Sequence, residues 1–168
     1  MFKLVKPAIE YKESFIEALK ESHAEGRSSS LIISELEKDF SKLVHKYQDR
    51  EKGIGLKEGY VPDTRLWLVE GSEYIGWVAI RHSLSESLMK EGGHIGYEIR
   101  PTKRKMGYGS KILELALPVA LNLGIKEALI TCNDDNIASA KIIEKNGGIL
   151  ENKVELGDKL VRRYWIKI

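Results

Sequence analysis

The sequence predicts an α/β protein built on a mixed sheet, and three observations carry that expectation. Apolar residues recur at helical spacing before Arg50. Short strand-forming runs separated by glycine turns occupy Leu66 to Arg100. An apolar strand, a basic glycine turn and an amphipathic helix then follow one another from Tyr97 to Leu123. At 168 residues the chain suits a single domain with a sizeable core. Its 27 basic residues are balanced by 25 acidic ones, which argues against a nucleic-acid module, since that needs a basic stripe interleaved with aromatics. No stretch is long and apolar enough for a membrane span. Met1 to Pro7 lacks the apolar core and cleavage site of a signal peptide, so a cytoplasmic location is expected.

Phe2 to Lys6 reads as a first strand. Tyr11, Phe15, Ile16 and Leu19 define a helix that Gly26 ends. Ser28 to Ser30 are placed to cap a second helix, whose stripe runs Ile32, Leu36, Phe40, Leu43, Val44 and Tyr47. Gly53 to Gly59 is a loop. Leu66–Glu70 and Tyr74–His82 make a hairpin around Gly71-Ser72-Glu73, and His94 to Arg100 is the next strand, antiparallel to its predecessor if Ser83 to Gly93 closes a second hairpin. From Gly109 to Leu123 the residues Ile112, Leu113, Ala116, Leu117, Ala120 and Leu123 share one helix face, with Pro118 inside and Gly124 as the cap. Ala128 to Cys132 is a strand, Asn136 caps a short helix to Asn146, and Gly147-Gly148 is its left-handed exit. Ile149–Leu156 and Leu160–Ile168 flank Gly157-Asp158 as a terminal hairpin.

Chemistry concentrates between Arg100 and Ser110. Gly107 and Gly109 let the main chain approach a ligand, and the first free N–H groups of the following helix point at any anion there. Arg100, Lys103, Arg104 and Lys105 add positive charge. A Walker loop is absent, and Ile112 stands where a dinucleotide fingerprint needs a third small residue. The four histidines show no paired metal-ligand spacing, and the single cysteine, Cys132, ends an apolar run and reads as a buried thiol.

The spacing Arg104-x-x-Gly107-x-Gly109 resembles the pyrophosphate-binding signature of the GNAT superfamily of acyl-CoA-dependent N-acetyltransferases. One helix and one strand later, Asn136 to Gly148 is similar to the stretch that closes the cofactor site in that family. The likeness spans about Leu66 to Ile168, and Gly92 to Tyr97 looks like one bacterial branch. It implies a mixed, mostly antiparallel sheet with a central parallel strand pair, flanked by helices. It also implies one domain, in which 66–168 bind the cofactor, acetyl-CoA, and 1–65 lie on the acceptor side. Ile99 would offer main-chain hydrogen bonds to the pantetheine arm. Arg104, Lys105, Met106, Gly107, Tyr108, Gly109 and Ser110 would wrap the pyrophosphate with Arg100 beside them, Asn136 would face the pantetheine near the opening between the central strands, and Ser139, Lys141 or Lys145 would approach the rest of the cofactor.

The family's acceptor amine attacks the thioester directly in a ternary complex, so orientation, main-chain donors for the oxyanion and a neutral amine are what the site must supply. Many members carry a Tyr in the last helix as acid toward the thiolate. Ile143 stands there, so water, Tyr97, Tyr108 or Cys132 has to substitute. Candidate bases are His82, His94 and Glu98. The histidines would share one sheet edge, either titrating usefully or simply bonded to loop main chain. Glu98 is either a base or an ion-pair partner of Arg81 or Arg100. Tyr60, Trp67 and Trp77 line an acceptor pocket or fill core, and residues 26–61 are expected to wall that pocket. The expected activity is transfer of acetyl to a primary amine on a small molecule or peptide. A non-catalytic acyl-CoA-binding regulator on the same fold is the alternative. Acceptor, acyl length and oligomeric state, homodimer included, are open in the sequence.

Overall fold

A computed structural model describes residues 1–168. Strands β1 (Phe2–Val5), β2 (Asp63–Glu70), β3 (Glu73–Arg81) and β4 (Ile95–Ile99) form an antiparallel sheet in that order. Strands β5 (Glu127–Asn133), β6 (Ile149–Leu156) and β7 (Lys159–Lys167) form a second antiparallel sheet, ordered β5-β7-β6. Helices α1 (Lys12–Ala24), α2 (Ile33–Lys38) and α3 (Ser41–Glu51) separate β1 from β2. The short α4 (Glu86–Lys90) precedes β4, α5 (Tyr108–Asn122) joins β4 to β5, and α6 (Ile137–Lys145) joins β5 to β6. None of these helices is long and apolar enough to cross a membrane.

Strand alternation sorts side chains onto two layers. Leu66, Leu68, Val78, Ile80, Ile95 and Ile99 pack beneath Ile112, Leu113, Ala116 and Ala120 of α5. Trp67 and Tyr74 face the other way, against Tyr11, Phe15, Leu19, Phe40 and Leu43. Fully burying one such aliphatic side chain is worth roughly 1.5–3 kcal/mol, so both layers pin the register. A one-residue slip would exchange Tyr97 and Glu98 between faces.

Where a central parallel pair is implied, β4 and β5 lie beside a cleft with no ladder joining them. The His94 N–H donates to the Leu129 carbonyl (2.7 Å), and the Leu129 N–H donates to His94 Nδ1 (3.0 Å), fastening the sheets just before β4 begins.

The single second helix of the sequence reading is broken in two. Asp39 takes φ −150°, ψ 86° and its carboxylate accepts from the Ser41 hydroxyl, a local bond that competes with the helix. Leu36, Phe40, Leu43 and Val44 still share one layer, which is why the stripe looked continuous. Ser28 to Ser30 do not cap α2, whose N-cap is Ile32 with no side-chain bond. Asn136 does cap α6, accepting from the Ser139 N–H at 3.1 Å.

Candidate active site

After β4 a 3-10 turn, Pro101–Lys103, carries the chain toward α5. Lys105 (φ 63°) and Gly107 (φ 87°) both adopt the left-handed conformation. For a non-glycine residue such a conformation costs on the order of 1 kcal/mol, and its persistence here points to use. The N–H groups of six consecutive residues, Lys105 to Ser110, donate to no main-chain acceptor, and α5 has no side-chain cap. Successive N–H groups in such a turn form an anion-binding concavity, and the first turn of α5 adds its dipole. Nothing lies within 4 Å of where a Gly107 Cβ would stand, so the cradle opens to solvent.

Gly109 has a packing purpose beside the one expected. A Cβ there would sit 2.6 Å from Ile142 Cδ1, so its bareness lets α5 close on α6. Asn146 latches the same contact, donating through Nδ2 to the Ser110 hydroxyl (3.2 Å), the Ser110 carbonyl (3.3 Å) and the Ile142 carbonyl (2.9 Å). Sequence reasoning missed Asn146, because a polar residue at a helix end gives no sign of a partner on another helix. Ser110 thus keeps its main-chain N–H and its hydroxyl proton for a ligand.

Two arginines expected at the cradle are engaged elsewhere. Arg100 is buried, paired with Glu21 and bonded to the Tyr74 carbonyl at 3.2 Å. Arg104 donates to the Ile99 carbonyl (3.1 Å) and to Glu25 (2.8 and 2.9 Å). The Tyr108 hydroxyl reaches Glu70 at 3.5 Å and its ring meets Phe2, directed away from the cleft. Lys105, Met106, Lys141 and Lys145 are exposed, and none of the three lysines has an ion-pair partner within 4.0 Å.

The cleft between β4 and β5 is lined by Arg81, Tyr97, Thr131, Cys132, Asn136 and Ser139. The Arg81 N–H donates to His94 and the Arg100 N–H to Ile75, so alternate residues Tyr97 and Ile99 turn their main-chain groups away from β3, toward the cleft. The Tyr97 hydroxyl lies 3.1 Å from Ser139 Oγ, and burial pushes the phenol up to about 12. Burial also pushes the Cys132 thiol up. Ile143 is fully buried in the core.

Glu98, next to Tyr97, points to the opposite face and into a cavity of about 290 Å³ beneath the N-terminal helices. Its Oε1 is buried without a hydrogen-bond partner. The nearest cations are Arg27 (3.8 Å) and Arg104 (3.9 Å), not the Arg81 or Arg100 considered from sequence. Tyr47, Arg65, Tyr74 and Trp77 line the same cavity. Ser28, Ser30, Leu31, Lys46 and Arg50 come to it from the expected wall, 26–61, whereas Gly53 to Tyr60 do not reach it. Trp67 is core.

The histidines do share one sheet edge, but neither lines the cleft or the cavity. His94 binds the β5 main chain, and burial, then Arg81, lowers its pKa. His82 Nε2 lies 2.8 Å from Thr64 Oγ1, which donates to Glu51 at 3.1 Å. Of the three candidate bases Glu98 is the one that lines the cavity, and His94 stands four residues along the strand from it, roughly 13 Å.

Residues 31–149 match the model of the acetyltransferase (GNAT) domain. No curated protein matches the chain. Among solved structures it is similar to the microcin C7 self-immunity acetyltransferase MccE in complex with acetyl-CoA and AMP (TM-score 0.71, 16% identity, covering 99% of this chain and 92% of that one). It is also similar to the Salmonella typhimurium acetyl transferase that modifies the N-terminal serine of ribosomal protein L7/L12 (0.70, 18%, 99% and 95%). RimL in complex with coenzyme A through a cysteine disulfide is a third (0.71, 16%, 99% and 94%). At these identities the structural likeness speaks for the fold, and the domain match, which spans more than half of the sequence, shows that the chain belongs to the GNAT acetyltransferase family.

Proposed function

We propose that the protein transfers the acetyl group of acetyl-CoA to the nitrogen of a primary amine, by direct attack in a ternary complex. The observation that carries this reading is that β4 turns Tyr97 to the cleft and Glu98 to the cavity, so donor and acceptor approach one strand from its two faces.

The cradle fits a pyrophosphate, with six main-chain N–H groups that meet no main-chain acceptor, open space at Gly107 and Lys105 at its edge. Lys141 and Lys145 on α6 stand ready for the cofactor's remaining phosphate. Ile99 and Tyr97 offer main-chain groups to the pantetheine arm. In RimL coenzyme A is held by a cysteine disulfide, and Cys132 lines the cleft here, which supports placing the sulfur end beside it. Acetyl-CoA supplies a thioester carbonyl as electrophile.

The chain's own groups supply the rest. An alkyl ammonium is mostly protonated near neutrality, and the Glu98 carboxylate takes its proton. The Tyr97 N–H, on the unpaired edge of β4, donates to the developing oxyanion. The Ser139 and Tyr97 hydroxyls, 3.1 Å apart, hydrogen-bond to the departing thiolate, which takes its proton from water, and Tyr97 stays protonated through the physiological range. That pair, with water, takes over the task Ile143 cannot perform. An amine acceptor is in keeping with the N-terminal serine modified by the Salmonella enzyme.

Thiol release from acetyl-CoA in the presence of a panel of primary amines tests the reading. Release should depend on the acceptor, and Ser139→Ala should lower kcat without changing the KM for acetyl-CoA. Coenzyme A binding with no acceptor-dependent release from any amine would leave a binding protein and contradict it.

A further inference from the structure

We infer that the acceptor carries a negatively charged oxyacid group, a carboxylate or a phosphate, and that Arg65 receives it across Trp77 from Glu98. This rests on the cavity being the acceptor site. Five charged residues line it: Lys46, Arg50, Arg65, Glu98 and Arg100. Arg50 is paired with the buried Asp63, and Arg100 with Glu21. Arg65 has neither an ion pair nor a hydrogen bond within the protein, and its Nε is buried without a partner. A cation in such a place is costly unless something answers it.

The guanidinium lies 4.0 Å over the Trp77 ring centroid and 5.2 Å from that of Tyr47. Stacking steadies its faces and leaves the in-plane N–H fork free, the geometry that grips an oxyanion through two parallel bonds. Two further donors line the cavity without a protein partner, the hydroxyls of Tyr47 and Tyr74. Burial raises both phenols, so they remain donors. Lys46, exposed on α3, adds unpaired positive charge.

Register fixes the spacing of the two poles. Trp77 on β3 is the direct cross-strand partner of Glu98, and its ring carries the Arg65 guanidinium. The backbones of β2 and β4 stand two strand spacings apart, roughly 10 Å, and the long Arg65 side chain shortens that gap. An ammonium at Glu98 and an oxyanion at Arg65 therefore belong to one small molecule or one short chain end.

Matched pairs test this: amino acids and dipeptides against their carboxamides, and aminoalkyl phosphates against the corresponding amino alcohols, each with acetyl-CoA. The charged member of at least one series should exceed its neutral partner about tenfold or more in kcat/KM, and the series in which it does identifies carboxylate or phosphate. Arg65→Gln should erase that ratio, a loss of about ten- to a hundredfold for the charged member. Coenzyme A affinity should stay unchanged, the neutral member should lose far less than the charged one, and Arg65→Lys should restore part of the ratio. Equal rates within every pair, or equal losses for both members in Arg65→Gln, would overturn the inference and leave the acetyltransferase reading intact. If no amine turns over, that reading fails, and calorimetry of the same pairs on the CoA-loaded protein decides the inference. Binding of a charged member that depends on Arg65 upholds it, and binding indifferent to charge overturns it.

Discussion

On the proposed reading, the cradle before α5 and the cavity beneath α1 to α3 would recognise their ligands with opposite means. The cradle uses main-chain N–H groups, six in a row, and sets few side-chain conditions: residues that tolerate positive φ at 105 and 107, and a bare Cα at 109 where α5 meets α6. The cavity uses side chains throughout: Glu98, Arg65, Tyr47, Tyr74 and Trp77, drawn from three strands and a helix. A main-chain site tolerates wide change in sequence and binds one fixed ligand. A side-chain site can be rewritten residue by residue, which is where a family with one donor and many acceptors must differ.

Removing the carboxylate should separate the two halves most sharply. Glu98→Gln is expected to lower kcat/KM by about a hundredfold or more, the scale of a lost general base, with coenzyme A affinity by calorimetry unchanged. A comparable loss of cofactor affinity would mean that the halves are not independent. Gly107→Val should do the reverse, weakening coenzyme A binding by about tenfold or more, because a β-branched residue at φ 87° forces the turn to rebuild and scatters the N–H donors.

Gly109 sharpens the contrast from within the cradle. Overpacking against Ile142 should destabilise Gly109→Val by about 1–3 kcal/mol, seen as a lower Tm. Ile142→Ala in the same chain should recover part of that loss, a coupling that a double-mutant cycle reads directly. No recovery would mean that Gly109 is there for the ligand after all.

This is also where the sequence could be read and where it could not. Arg104-x-x-Gly107-x-Gly109 identified the turn because main-chain geometry leaves a mark in glycine spacing, and Asn136 identified the start of α6 because capping is local. The contacts of Arg100, Arg104 and Gly109 could not be read in advance, since each involves a partner distant in sequence: Glu21, Glu25 and Ile142. Arg65 drew no attention as one charge in a strand, and only the fold sets it on Trp77 with no carboxylate within 4.0 Å. His82 and His94 met at one edge as the hairpin demanded, yet which residue lies near a cleft is decided by strand register and not by titration range.

The smallest effect concerns His94, which lies outside both halves. Its pKa is lowered in the folded protein, so below the ordinary value near 6.5 the unfolded chain takes up a proton that the folded one resists. Stability should therefore fall as pH drops from about 6.5 toward 5, and the Tm of His94→Gln should fall less over that window. The acid limb of kcat/KM should be the same in both proteins. A limb that disappears with His94 would return the role of base to the histidine.

The contrast between main-chain and side-chain recognition is tested most directly by following backbone amide resonances of the ¹⁵N-labelled protein during a coenzyme A titration. The amides of Lys105, Met106, Gly107, Tyr108, Gly109 and Ser110 should move together and furthest, saturating with a single affinity, while those of Arg65 and Trp77 in the cavity stay near their starting positions. Six unmoved cradle amides beside large shifts around Arg65 and Trp77 would contradict it.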